Sequence, residues 1–144
     1  MATATFYRTV YDYTDEPVLK AITGHIKSDE VRHYSHFWRF FEAYRQRDKV
    51  GRTKVLRAIV RRVAEVANDD GLIAYRHAFA VRYPQLRFER RHYDQFQVDL
   101  KRILRRHYPV DMALKMVLKP LDLPAVLQRL LMRPLRTGVG LALG

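Results

Sequence analysis

Residues 17–51, PVLKAITGHIKSDEVRHYSHFWRFFEAYRQRDKVG, decide the fold because they read as one long helix that ends in a charged turn over 46–51. Pro17 suits the first position of a helix, and only Gly24 interrupts the pattern before Gly51. Along this helix, residues that form one stripe recur every three or four positions, which is the period of a buried helical face. The places of this stripe are Leu19, Ile22, Ile26, Glu30, His33, Phe37, Phe41 and Tyr44.

The rest of the chain also predicts helices, and no strand pattern or internal repeat stands out. Apolar stripes bounded by glycine, proline and acidic residues predict helices over 2–13, about 17 residues after Gly51, 72–83 and 85–108. Pro120, Pro124 and Pro134 divide the remainder into short pieces. The sequence therefore predicts an all-α fold, with a partial bundle over 1–108 and a C-terminal helical extension over 109–144 that packs on it.

Length and composition restrict the class of protein. A chain of 144 residues with 48% hydrophobic and 29% charged residues is expected to form one globular domain. There is no cysteine, which excludes disulfides, thiolate metal sites and a cysteine nucleophile. The N-terminal residues lack the pattern of a secretory signal, and no run approaches the roughly 18 apolar residues of a membrane span. We therefore expect a soluble, cytoplasmic protein without a transmembrane segment.

The net charge of +12 predicts a positive surface field. Such a field attracts acidic proteins, nucleic acid and anionic lipid, and the charge alone does not choose among them. Arg57, Arg61 and Arg62 of the third predicted helix are expected to form a solvated face that can also receive an acidic partner.

Glu30 and His33 are the unusual members of the long apolar stripe. A carboxylate on a buried helical face costs several kcal/mol unless a cation, a hydrogen-bond donor or a metal lies beside it. The i, i+3 spacing lets Glu30 and His33 reach one point. Carboxylate oxygen and imidazole nitrogen together suit iron or manganese, and Glu-x-x-His is a recurring ligand pair of di-iron helical bundles. The stretch therefore predicts a metal site.

A specific resemblance supports this prediction. The segment HIKSDEVRHYSHF, preceded by TDEPVLKAIT, resembles the final ligand helix of ferritin-like di-iron proteins, above all the Ser-Asp-Glu-x-Arg-His segment of soluble acyl-acyl carrier protein desaturases. The resemblance covers residues 1 to about 45. It implies that Glu30 bridges or binds the metal, that His33 is a terminal ligand, and that Asp29 orients a histidine on a facing helix from the second coordination shell.

The resemblance also implies a fold and an activity. The fold is a partial ferritin-like bundle, and the cofactor is iron in a di-iron centre, or manganese. The activity is that of a dioxygen-activating oxidase or desaturase, acting on an acyl substrate delivered by an acidic carrier protein. Docking such a carrier would use the basic face of Arg57, Arg61 and Arg62.

The departure from the family concerns the number of ligands. A complete site takes a glutamate from each of two helices and a Glu-x-x-His from each of two more. This chain resembles only one of the two Glu-x-x-His helices. Three explanations fit: the true start lies upstream, the gene is truncated, or two chains pair their Glu30 and His33 in a homodimer. A homodimer supplies two carboxylates and two imidazoles, fewer than the family uses.

Each Glu-x-x-His segment has an alternative interpretation, and the first alternative needs no metal at Glu30. Neighbouring arginines, Arg32 and Arg39, can satisfy a polar position on a helix. The second Glu-x-x-His, Glu89 to His92, is surrounded by arginines and is predicted to be a solvated, salt-bridged face. A rival function follows from the first alternative: a non-enzymatic basic helical protein that binds nucleic acid or an acidic protein partner.

Overall fold

The computed structural model describes residues 2–64 and 70–142, and every regular element in these two ranges is a helix. The α-helices are α1 Ala2–Tyr13, α2 Pro17–Arg47, α3 Arg52–Ala64, α4 Asp70–Arg82, α5 Arg90–His107, α6 Val110–Leu118 and α7 Ala125–Ala142. A short 3₁₀ turn, Lys119–Leu121, follows α6 directly. The predicted all-α class is confirmed.

The turn between α1 and α2 fixes where the long helix begins. The carboxylate of Glu16 accepts hydrogen bonds from the backbone N–H groups of Val18 and Leu19. These donors have no partner within the helix, so the cap stabilises its first turn. Pro17 occupies the first helical position, where its missing N–H costs nothing. The predicted start of the second helix is confirmed.

α1 folds back along the first half of α2 and makes the most extensive helix pair of the chain. Tyr11 lies against Gly24, where an added Cβ would stand 3.2 Å from its ring. The ammonium group of Lys27 lies 3.9 Å from the centre of the same ring. Thr23 is buried in this contact, and its hydroxyl donates to the Leu19 carbonyl at 2.7 Å. The side of α2 that meets α1 is therefore largely polar.

A small apolar core joins the second half of α2 to α3 and the C-terminal helices. Its buried centre consists of Val55, Leu118 and Leu121. Partly buried side chains surround this centre: Phe41, Val50, Ile59, Leu123 and Met132. The members come from α2, α3, α6, α7, the 3₁₀ turn and the loops before α3 and α7, so this core joins the second half of α2 to the C-terminal helices.

Two long-range hydrogen bonds hold α2 to the C-terminal region. The Tyr34 hydroxyl donates to the Met116 carbonyl at 3.2 Å, and the Arg45 guanidinium donates to the Pro120 carbonyl at 2.8 Å. α6 also packs against α1 and α7. The C-terminal helices therefore pack on the remainder, while the predicted division at residue 108 stays a prediction.

α4 and α5 form a second hairpin with an aromatic interior. The rings of Tyr75 and Phe96 stack with centroids 4.6 Å apart. The other members of this cluster are Phe79, Phe88, His92 and Tyr93. The far end of α5 reaches α1, where the hydroxyls of Tyr108 and Thr5 lie 3.1 Å apart. The hairpin is thus tied to the rest of the fold at that end.

Two helix boundaries differ from the sequence prediction. α5 begins at Arg90 and not at residue 85, because the backbone N–H of Glu89 bonds to Nδ1 of His92 at 3.1 Å and Glu89 is extended. α7 runs through Pro134 as one helix of 18 residues, although proline removes one backbone hydrogen bond from a helix interior. The prediction that Pro134 divides the C-terminal region was wrong.

The chain exposes much more surface than a compact protein of its size. A monomer of 17.1 kDa is expected to expose about 7,800 Å². This chain exposes 11326 Å², roughly 3,500 Å² more than that expectation. Large apolar side chains contribute to the excess along α2, α3 and α7. Such surface is typical of proteins that bury it against a partner.

The hydrogen bond from Tyr34 is expected to stabilise the fold. Tyr34→Phe removes the donor to the Met116 carbonyl, so the free energy of unfolding should fall by about 1 kcal/mol in urea denaturation. Tyr13→Phe is the matched control, because more than half of that residue is exposed and it lies outside the apolar stripe of α2. Equal stability of the two variants would contradict the assigned role of the hydrogen bond.

The same variant should alter the response to alkali. Burial raises the pKa of Tyr34 above its usual value of 10.0. The folded state therefore resists losing this proton, and stability falls as the pH rises above 10.0. The part of this fall in the free energy of unfolding that is due to Tyr34 should be absent in Tyr34→Phe.

Candidate metal-binding face of α2

The candidate face runs along the whole of α2 and carries Glu30 and His33 at its centre. Both side chains leave the helix on the same side, as their i, i+3 spacing requires. Glu30 is partly buried, whereas His33 is exposed. The structure therefore brings the two predicted ligands to one face at the surface, and not into the interior of a single chain.

The apolar neighbours of this pair are exposed too. Leu19, Ile22, Phe37 and Tyr44 keep between 42% and 73% of their surface accessible. Ile26 and Phe41 are half-buried, and Phe40 adds a further exposed ring beside Phe41. The prediction that the stripe is buried was wrong for one chain by itself.

The physical reason is that α1 and the C-terminal helices cover an adjacent face of α2. The contacts of that face are made by Thr23, Tyr34 and Arg45. At 100° per residue, these positions lie about a quarter turn around the helix from the stripe. One chain therefore uses one face of α2 and leaves most of the neighbouring apolar face uncovered, except at Phe41, which packs at the edge of the apolar core.

Asp29 lies beside the ligand pair and forms an ion pair with Arg32. The hydrogen bond from Arg32, followed by its positive charge, lowers the pKa of Asp29 below 3.8. Half of the Asp29 side chain is exposed, so solvent weakens this interaction. The predicted role of Asp29, the orientation of a histidine on a facing helix, requires a helix beyond those that pack on α2 in this chain.

The ligands of one chain do not complete a metal site. Over residues 2–64 and 70–142, no cluster of three or more His, Asp or Glu side chains could hold an ion. Glu30 and His33 offer one hard oxygen ligand and one imidazole, a donor set that suits iron or manganese. The chemistry of the pair fits the predicted metals, and the pair supplies two of the six ligands of a complete di-iron centre.

The second Glu-x-x-His serves the start of α5. Glu89 is half-exposed and pairs with Arg91 at 3.0 Å. His92 uses Nδ1 to accept the backbone N–H of Glu89, and its ring stacks on Phe79 with centroids 4.6 Å apart. The predicted salt-bridged surface is confirmed at Glu89, while His92 has an additional role in packing.

The basic face of α3 is present as predicted. Arg57, Arg61 and Arg62 are all exposed, and Arg57 and Arg61 are one turn apart. These exposed guanidinium groups present positive charge to solvent on the surface of α3.

An open cleft that no sequence pattern indicated lies between α1, α2, α6 and α7. It has a volume of about 910 Å³ and is lined by side chains that include Tyr34, Lys115 and Met116. At its edge the Arg136 guanidinium donates to Asp111. The lining residues come from both the N-terminal and the C-terminal parts of the chain, so no local motif could have indicated the cleft.

Comparison with known proteins gives no assignment, because no protein-family model, curated protein or solved structure matches the chain. In the part of the chain that the structure describes, no helix combines the length and apolarity needed to cross a membrane. The assignment of function must therefore rest on the residues of α2 and α3 themselves.

The Asp29 ion pair can be tested by NMR titration of its carboxyl group. In the wild type this carboxyl should titrate below 3.8. Arg32→Gln should raise its pKa, because the bond and the positive charge are both lost. Arg39→Gln, further along the same helix, should leave it unchanged. An unchanged pKa in Arg32→Gln would exclude the ion pair as the cause.

Proposed function

We propose that the chain is a ferritin-like metal-binding protein of the di-iron carboxylate type, with Glu30 and His33 as metal ligands. The observation that carries the proposal is the position of this pair at the centre of the uncovered apolar face of a 31-residue helix. The sequence resemblance around Asp29, Glu30 and His33 supports the same function.

The uncovered face supports the proposal because of what covering it would do. Burying a side chain such as Phe37 or Ile22 stabilises by roughly 1.5–3 kcal/mol, so the face favours contact with further helices. That contact would remove water from Glu30 and His33. A desolvated carboxylate requires a cation, and a metal ion would serve this need.

The proposed chemistry is that of a non-haem iron centre. When bound, such a centre supplies dioxygen activation for the oxidation of a substrate, in the manner of an oxidase or a desaturase. Glu30 would supply oxygen and His33 nitrogen to the metal, and Asp29 would support a histidine from a facing helix. Arg57, Arg61 and Arg62 would attract an acidic carrier protein that delivers an acyl substrate.

Metal binding is tested by loading the protein with ferrous iron under anaerobic conditions. Glu30→Ala with His33→Ala should weaken binding by at least about 100-fold, because the change removes ligands and not only their supporting groups. The control is Glu42→Ala with His36→Ala, which alters the same residue types on other sides of α2. Bound metal is counted after gel filtration. Equal, negligible binding by all three proteins would overturn the proposal.

The net charge of +12 favours one second candidate, a basic helical protein that binds nucleic acid. In this case duplex DNA should bind at low salt, and affinity should fall steeply as salt rises. Arg57→Gln with Arg61→Gln should then reduce the salt dependence, by about one unit of slope for each lost phosphate contact. Undetectable binding at low salt in a fluorescence anisotropy titration would exclude this function.

A further inference from the structure

The uncovered face of α2 has an internal symmetry. Its places lie in pairs at equal distances from one point, midway between Val31 and Arg32. The pairs are Leu19 with Tyr44, Ile22 with Phe41, Ile26 with Phe37, and Glu30 with His33. The helix itself, Pro17–Arg47, has its midpoint at Arg32. The face is therefore nearly a palindrome centred on the helix.

A palindromic face is complementary to a second copy of itself. In a two-fold interface the same patch meets itself, so that residue i of one copy contacts residue j of the other and the reverse. When two copies of α2 lie antiparallel about this point, each apolar side chain faces an apolar one. Glu30 of each copy then faces His33 of the other. The two polar places meet one another and leave no carboxylate facing an apolar residue.

The surface of the chain can supply such an interface. A stable protein interface takes about 800 Å² from each partner. The chain exposes 11326 Å², and its excess of about 3,500 Å² over a compact monomer is several times that requirement. α1 and the C-terminal helices occupy the adjacent face of α2, so they leave the stripe accessible to a second copy.

We infer that this face is a two-fold homodimer interface, which builds one metal site from Glu30 and His33 of both copies. The site then holds two carboxylates and two imidazoles, a ligand set that one chain lacks. The inference rests on the proposed metal-binding function and adds where the missing ligands come from. Two α1–α2 pairs also place four helices around the site, the arrangement of a four-helix bundle.

The interface is tested by a substitution that introduces a charged side chain among its apolar residues. Phe37 is 73% exposed, so Phe37→Glu should leave the folded chain intact while raising the dimer dissociation constant by at least about 100-fold. Val81→Glu, on α4 and 84% exposed, is the control and should leave the dimer unchanged. Sedimentation measures the association, and circular dichroism checks the helical content. A wild type that stays monomeric at high concentration, with or without ferrous iron, would overturn the inference.

The antiparallel register is tested by mixing two variants. Ile26→Lys and Phe37→Glu should each dimerise poorly, because a charge then faces an apolar residue. Mixed together they should form a heterodimer, since the new lysine faces the new glutamate. Ile22→Lys mixed with Phe37→Glu is the control, in which the charges are one turn out of register. Equal association in the two mixtures would exclude the proposed pairing.

The metal and the interface fail separately. If the wild type and the double variant Glu30→Ala with His33→Ala dimerise equally, and the wild type binds no iron, the interface stands and the metal site is excluded. If the wild type and the monomeric variant Phe37→Glu bind iron with equal affinity, the metal-binding function stands and a site shared between two copies is excluded. The inference requires that iron binding is lost with the dimer.

Discussion

A helix of 31 residues keeps its place in a small protein only by burying part of its surface, and α2 has two faces on which it can do so. The first is covered by α1, α6 and the 3₁₀ turn. The second is apolar, with Glu30 and His33 at its centre, and remains accessible in the single chain. Burial of this second face would stabilise the protein further through the hydrophobic effect. The candidate site lies at the centre of that face.

The covered face shows how polar side chains can be buried without loss. Thr23 donates to a carbonyl of its own helix, and Arg45 and Tyr34 donate to carbonyls of the C-terminal region. Thr23 is buried and Tyr34 and Arg45 are half-buried, and each of these three side chains has a partner, so its desolvation penalty is offset. The 3₁₀ turn presents the Pro120 carbonyl to Arg45 and buries Leu121 in the same step. Polar contacts therefore direct the docking of α2.

The positions of the main helices could be predicted, because local signals determine them. Pro17 and Glu16 mark the start of α2, and the charged turn before Gly51 follows its end. The choice of the covered face could not be predicted, since apolar periodicity identifies the stripe while hydrogen bonds select the polar face beside it. For the same reason the sequence placed Glu30 and His33 on one face correctly and assigned that face to the interior of one chain.

The details that escaped prediction depend on tertiary contacts. The extended conformation of Glu89 goes with a bond to His92, whose ring rests on Phe79 of another helix. The continuation of α7 through Pro134 opposes the intrinsic preference of proline. The bond between Glu89 and His92 is local, whereas the packing of the His92 ring on Phe79 and the continuation of α7 through Pro134 have no signal within their own segments. The metal, the carrier protein and the acyl substrate remain proposals, because they depend on groups outside this chain.

The aromatic interior of the α4–α5 hairpin has a consequence for how the molecule opens. Rings from both helices stack directly on one another, and the hairpin is tied to α1 at the far end of α5 through Tyr108 and Thr5. The α4 end of the hairpin lies away from that attachment, so it is suited to open as a separate foldon. Its amides would then exchange with solvent in a cooperative opening of their own, while α1 and α2 stay protected.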